Sequence, residues 1–202
     1  MKNRFQKSRI GVSCSYVNEK GCDNLMVLMK GRPIDIENRL KKEIKVYDLL
    51  DSLSIEYMRV DHESAMTMED CVKIEEELDA AICKNLFLVN SNKSQYYLLM
   101  LLGHKKFKTK DISKQIHSSR LSFASDDKML EYLDITPGSV SVIGLINDTD
   151  CHVQLIVDED ILKEEYIGFH PCINTTSMKI KTKDLFEKVL PSIKHDYYII
   201  QC

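Results

Sequence analysis

The sharpest hydrophobic pattern in the chain is Val46, Leu49, Leu50 and Leu53, spaced i, i+3, i+4, i+7. That spacing lays one apolar stripe along a helix. A second helix is expected from Thr67 to about Leu78, with Thr67 as its N-cap and Glu69 and Asp70 facing the positive end of the helix dipole. Shorter helical stretches are expected at Lys110–His117, Ser125–Leu133, Asp158–Glu165 and Thr182–Leu190. Between them lie short runs rich in branched and aromatic residues, which read as strands: Leu25–Met29, Ile55–Val60, Asn85–Val89, Tyr96–Leu102, Val140–Ile146, Val153–Val157, Met178–Lys181 and Tyr197–Ile200. Tyr96–Leu102 is continuously apolar, which predicts a central strand buried on both faces.

Helices and strands alternate irregularly, and tight turns such as Ser91-Asn92-Lys93-Ser94 join neighbouring strands. This predicts an α/β protein of the α+β kind: a mixed, mostly antiparallel sheet flanked by helices, not a doubly wound parallel one. The expected organisation is an extension over residues 1–38, basic at Lys2, Arg4, Lys7 and Arg9, followed by one domain over 39–202.

Composition narrows the function. Hydrophobic residues are 44%, charged residues 29% and the net charge is −3, which argues against a general nucleic-acid coat protein but leaves room for a local basic patch. The seven cysteines are odd in number and form no Cys-x-x-Cys pair, so reduced thiols are expected. Cys71, Cys83 and Cys151 sit in apolar patterns, as small hydrophobes do. The start of the chain has no apolar stretch of signal-peptide type, and no run reaches the roughly 18 apolar residues of a membrane span. A cytoplasmic location is therefore expected.

Four segments carry candidate chemistry. Gly168-Phe169-His170-Pro171 with Asn174 presents an imidazole from a loop, because proline fixes its own φ and restricts the residue before it. Lys84-Asn85 opens an apolar strand, where a lysine stem packs and its ammonium reaches a phosphate or ribose; a solvated strand-edge lysine is the plainer alternative. Thr136-Pro137-Gly138-Ser139-Val140-Ser141 is a turn whose glycine allows close approach and whose following amides can donate, or else an ordinary connection. Lys105, Lys106, Lys108 and Lys110 surround Phe107, with Arg120 nearby; this is a phosphate-binding patch with a stacking ring, or a solvated loop. No cluster has metal-ligand spacing, and no P-loop or Gly-x-Ser-x-Gly is present.

Taken together and in order, these residues resemble the YbaK/prolyl-tRNA-synthetase-associated editing family, closest to its freestanding alanyl-tRNA(Pro) deacylases. The similarity runs from about Val46 to Val189 through Asp61-His62, Lys84-Asn85-Leu86-Phe87-Leu88, Arg120-Leu121-Ser122-Phe123-Ala124, Thr136–Ser141, Gly144-Leu145-Ile146-Asn147-Asp148 and Phe169-His170-Pro171 with Asn174. The resemblance implies hydrolysis of the ester on mischarged tRNA(Pro), most simply alanyl-tRNA(Pro). It implies no metal or cofactor, no DNA and no membrane, with prolyl-tRNA synthetase as a candidate partner. It gives Lys84 the nucleotide end of the substrate and His170 the ester or attacking water. Gly138, Ser139, Val140 and Ser141 hold the aminoacyl group, with Asn85 and Asn174 beside it. Two positions depart from the pattern: Val142 stands where the family loop carries proline, and Glu63 follows His62 where proline is common. The Val142 departure leaves open a second role, a catalytically weak pocket that senses an amino acid or charged tRNA as a regulator of proline metabolism.

Overall fold

The computed structural model describes residues 26–64 and 68–202, and side chains in the second segment from residue 72 onward. The expected N-cap Thr67, the basic residues Lys2 to Arg9 and the apolar placing of Cys71 lie outside these limits. Among the described residues the chain forms β1 (Leu28–Lys30), α1 (Lys41–Ser52), β2 (Met58–Asp61), α2 (Met68–Leu78), β3 (Ala81–Asn90) and β4 (Tyr96–Leu102). Then follow α3 (Thr109–Gln115), β5 (Leu121–Phe123), α4 (Asp126–Leu133), β6 (Val153–Asp158), β7 (Tyr166–Phe169) and β8 (Thr176–Lys181). The chain finishes with a helical stretch of three pieces, Thr182–Asp184, a π-type turn Leu185–Val189 and Leu190–Ser192, and with β9 (Tyr197–Ile200).

The strands form one mixed sheet in the order β1-β2-β8-β7-β3-β4-β6-β9, with β5 beside β3. The pairs β1:β2, β2:β8, β8:β7, β3:β4 and β3:β5 are antiparallel, whereas β7:β3, β4:β6 and β6:β9 are parallel. The predicted mixed, mostly antiparallel class therefore holds. Leu98 to Leu101 of β4 are fully buried, as a central strand requires. The α1 stripe places Val46, Tyr47 and Leu50 in the larger core on one face, with Phe87, Leu98, Met100, Leu155 and Phe169. Leu88, Leu99, Leu101, Ile112 and Ile156 fill a core on the opposite face.

Side chains alternate across a strand, so these cores fix which way each residue points. On β3, Cys83 and Phe87 point into the larger core and Leu88 into the other. Lys84 shares the face of Leu88, and Asn85 shares the face of Phe87.

One predicted strand is not a strand. Val140–Ile146 was expected to pair with β6; instead Val142–Asn147 forms a 3-10 turn and β6 lies between β4 and β9. The turn packs tightly on α4: a Cβ on Gly144 would lie 2.4 Å from Ile135 Cδ1 and 3.2 Å from Leu133 Cβ. The Asn147 amide donates to the Leu133 carbonyl (2.8 Å) and receives Lys45 Nζ (2.6 Å), which pins the turn between α1 and α4. Val142, Ile143 and Leu145 are buried all the same, and a short apolar run does not by itself distinguish strand from turn.

The edge of β3 away from β4 carries the feature that matters for function. Ala81 and Ile82 pair with β7 there, and Leu88, Val89 and Asn90 pair with β5. Among the described residues, no strand lies beside Cys83 to Leu86, between the two, on that edge. The sheet is split at this point, and the gap in pairing beside Lys84 is the slot.

Candidate active site

Four neighbouring strands bring a row of polar side chains to one face at the slot. Phe169 is in register with Met178, so the next residue, His170, lies opposite Ser177. Ser177 is in register with Val60, two residues before His62 on the same face of β2. Ile82 is in register with Gly168, the last parallel pair before the split, and Lys84 and His170 each lie two residues beyond it. Gly168 allows the close approach, because a Cβ there would meet Ile82 Cδ1 at 2.4 Å. The row therefore reads His62, Ser177, His170, with Lys84 just past the end of the β3:β7 pairing, all drawn from segments far apart in the chain.

Hydrogen bonds hold the row. His170 Nδ1 is 3.1 Å from the Thr176 carbonyl and 3.3 Å from Ser177 Oγ. A carbonyl can only accept, so Nδ1 carries the proton and Nε2 is left as the lone-pair nitrogen. His62 Nε2 is 2.9 Å from Ser177 Oγ, and His62 Nδ1 is 2.7 Å from the Glu63 carbonyl. The two imidazoles meet edge to face at 6.3 Å. Burial pushes the His170 imidazolium down from its ordinary value; the Thr176 carbonyl opposes this, and His62 adds to it. The ring is thus neutral near pH 7 and able to accept a proton from water.

The glycine turn lies against Asn174, four residues past His170. Gly138 takes a positive φ of 87°, which favours glycine, and a Cβ there would lie 3.9 Å from Asn174 Nδ2. Asn174 Nδ2 in turn donates to Ser64 Oγ (2.5 Å), two residues past His62. Ser139 and Ser141 are buried; the Ser139 amide donates to the Thr136 carbonyl, and Ser141 Oγ has no hydrogen-bond partner among the described residues.

The aminoacyl-tRNA editing domain family matches residues 62–188, a span that begins at His62 and contains the whole row and turn. The chain belongs to the aminoacyl-tRNA editing domain family. It is 32% identical over 152 residues to "Prolyl-tRNA editing protein ProX" of Acetoanaerobium sticklandii, covering 75% of this chain and 92% of that protein. It is 30% identical over 155 residues to "Prolyl-tRNA synthetase associated domain-containing protein 1" of Mus musculus, covering 75% and 90%. A solved structure of a candidate trans-editing enzyme for prolyl-tRNA synthetase shares its fold, with a TM-score of 0.62 at 15% identity over 82% of this chain and 99% of the other. Membership makes the protein an aminoacyl-tRNA hydrolase, a carboxylic ester hydrolase.

Within this editing domain the sequence-predicted residues divide. Lys84 and His170 each follow the last β3:β7 pair by two residues, and Gly138 lies against Asn174. Asn85 projects from the opposite face to Lys84; its Nδ2 reaches only the Cys83 carbonyl (3.5 Å), and its buried Oδ1 has no partner among the described residues. The Ser139 amide is already used in its turn, so it is not among the amides free for substrate. In the basic patch, Lys105 is not a free cation: Nζ pairs with Asp158 and Asp160 at 2.6 Å each and is 14% exposed. Phe107 packs against the smaller core and is not a free stacking ring. Lys106, Lys108, Lys110 and Arg120 remain exposed, and Thr109, Lys110, Ser113 and Arg120 line a cavity of about 400 Å³. This patch does not lie apart from the slot, since Lys84 Nζ donates to the Lys105 carbonyl. Ser177 was not singled out from sequence, nor was His62 as a site residue; Asp61-His62 carried a family signal, whereas a serine inside a short strand carries none. Among the described residues no group of three or more His, Cys, Asp or Glu is arranged to hold a metal, and no helix is long and apolar enough to cross a membrane.

Proposed function

We propose that the protein is a trans-editing deacylase that hydrolyses the ester of mischarged tRNA(Pro), with alanyl-tRNA(Pro) as its substrate. The observation that carries this is His170 just past the end of β7, with the imidazole neutral and its Nδ1 proton tied back to Thr176, and Lys84 two residues past the same pairing on β3. In this reading the Lys84 ammonium holds the phosphate or ribose of the terminal adenosine. His170 Nε2 orients water and takes its proton as the water oxygen bonds to the ester carbon. The ester C–O bond then breaks, the ribose oxygen regains a proton, and free amino acid leaves. The ribose hydroxyl next to the ester is itself a proton carrier at the site, which suits a slot without a strong nucleophile. The turn at Gly138, lying against Asn174, supplies the contacts for a small aminoacyl group. Exposed Lys106, Lys108, Lys110 and Arg120 continue the path for the tRNA backbone. The relative named as a prolyl-tRNA editing protein supports tRNA(Pro) as the carrier.

Val142, the feature that leaves a weak sensor open, is 1% exposed and begins the 3-10 turn, a position where proline is tolerated but not required. The turn forms around valine, which supports the enzyme over the sensor. A deacylation assay with alanyl-, cysteinyl- and prolyl-tRNA(Pro) tests the assignment. Alanine is expected to be released fastest and proline to be spared. Release of cysteine ahead of alanine would reassign the substrate, and no release from any of the three would favour the sensor.

A further inference from the structure

We infer that Ser177 and His62 are positioning residues for His170, a three-member hydrogen-bond chain that reinforces the tautomer set by the Thr176 carbonyl and holds the ring in its orientation. The inference rests on the proposed reading of His170 as the group that orients water. Its basis is the direction in which each proton must point.

His62 Nδ1 lies 2.7 Å from the Glu63 carbonyl, so in the neutral ring Nδ1 carries the proton and Nε2 accepts. The group 2.9 Å from Nε2 is Ser177 Oγ, whose single proton is thereby committed to His62. Ser177 can then only accept from His170, whose Nδ1 is 3.3 Å away. Two acceptors, Ser177 Oγ and the Thr176 carbonyl, therefore converge on one N–H, and the His170 tautomer with Nε2 free is selected.

Both acceptors are held firmly. Ser177 is 1% exposed and Thr176 is fully buried. Thr176 Oγ1 donates to Asp61 Oδ1 at 2.9 Å on the opposite face of the sheet. Asp61 also receives Arg39 Nη2 at 2.6 Å and pairs with Arg59. The chain thus spans three strands and fixes the imidazole against rotation as well as against the wrong tautomer. Ser177 directed by His62 adds a second acceptor beside the Thr176 carbonyl, so losing it leaves the proton on Nδ1 but frees the ring to swing away from the geometry that aims Nε2.

The test uses steady-state deacylation by the full chain. Ser177→Ala and His62→Leu are each expected to lower kcat at least fivefold with KM within twofold, because the chain acts on the chemical step and not on tRNA binding. His62→Gln keeps an acceptor for the serine proton and is expected to retain at least half of kcat. His62 is partly exposed, so the Leu and Gln variants are compared in equally folded protein, checked by thermal melting. Adding Ser177→Ala to His170→Ala is expected to cost nothing more. Wild-type kcat in Ser177→Ala and His62→Leu, an effect confined to KM, or a Gln variant as impaired as the Leu variant would overturn the inference while leaving His170 in place. Wild-type kcat in His170→Ala would overturn the reading of the site itself.

Discussion

At the scale of single residues, function turns on two side chains, Lys84 and His170, each carried two residues past the end of one parallel strand pairing. His170→Ala and Lys84→Ala are each expected to cut deacylation at least tenfold, a loss of about 1.4 kcal/mol of transition-state stabilisation. Single-turnover rates on alanyl-tRNA(Pro) provide the check, and wild-type rates in both variants would reject the assignment. Both residues were legible in the sequence, because Gly168 and Pro171 mark a presented imidazole and Lys84 interrupts an apolar run. Ser177 was not, because its role comes from the facing strand and nothing in Thr176-Ser177-Met178 announces it. Lys105 shows the opposite error. It reads as one of a cluster of free lysines, yet Asp158 and Asp160, more than 50 residues on, claim its ammonium. Pairings between distant segments are what a local pattern cannot carry.

At the scale of elements, the sheet is braced beneath the row by Arg39, Glu43, Arg59, Asp61 and Thr176. Burial alone would raise the Asp61 carboxyl, but hydrogen bonds from Arg39, Arg59 and Thr176 outweigh it and hold it down at about 2. A carboxyl depressed on folding contributes stability above its unfolded value, and that contribution is lost as pH falls towards about 2. Asp61→Asn is therefore expected to lower stability by about 1–2 kcal/mol near pH 7, with the gap from wild type narrowing in acid. Urea unfolding at several pH values measures it, and a gap that widens in acid would contradict the pairing. Gly144→Ala is expected to cost about 1–3 kcal/mol by overpacking against Ile135 and Leu133. A melting temperature equal to wild type would show that α4 can yield. The helices and the central strand were legible because their periodicity spans several residues. The 3-10 turn at Val142 was misread as a strand, since its burial comes from packing on α4 and leaves no distinct period. The strands β5 and β7 are three and four residues long, too short for alternation to register.

At the scale of the whole molecule, a net charge of −3 coexists with a basic edge next to the slot. Replacing Lys106, Lys108 and Lys110 with alanine is expected to weaken tRNA binding and to flatten its log–log salt dependence by about 0.7 to 0.9 per lost phosphate contact. Filter binding over a salt series measures the slope; an unchanged slope would make these lysines a solvated loop. Lys105 belongs outside that variant, because removing it would leave Asp158 buried without its cation. The split sheet has a last consequence, in time rather than in space. The row needs β2, β3, β7 and β8 docked at once, and Lys84 and His170 stand 86 residues apart in the chain. Contacts between such distant segments close late in folding. During refolding from urea, hydrolytic activity should consequently reappear after far-UV circular dichroism has recovered, so that catalysis serves as a clock for the completion of the fold.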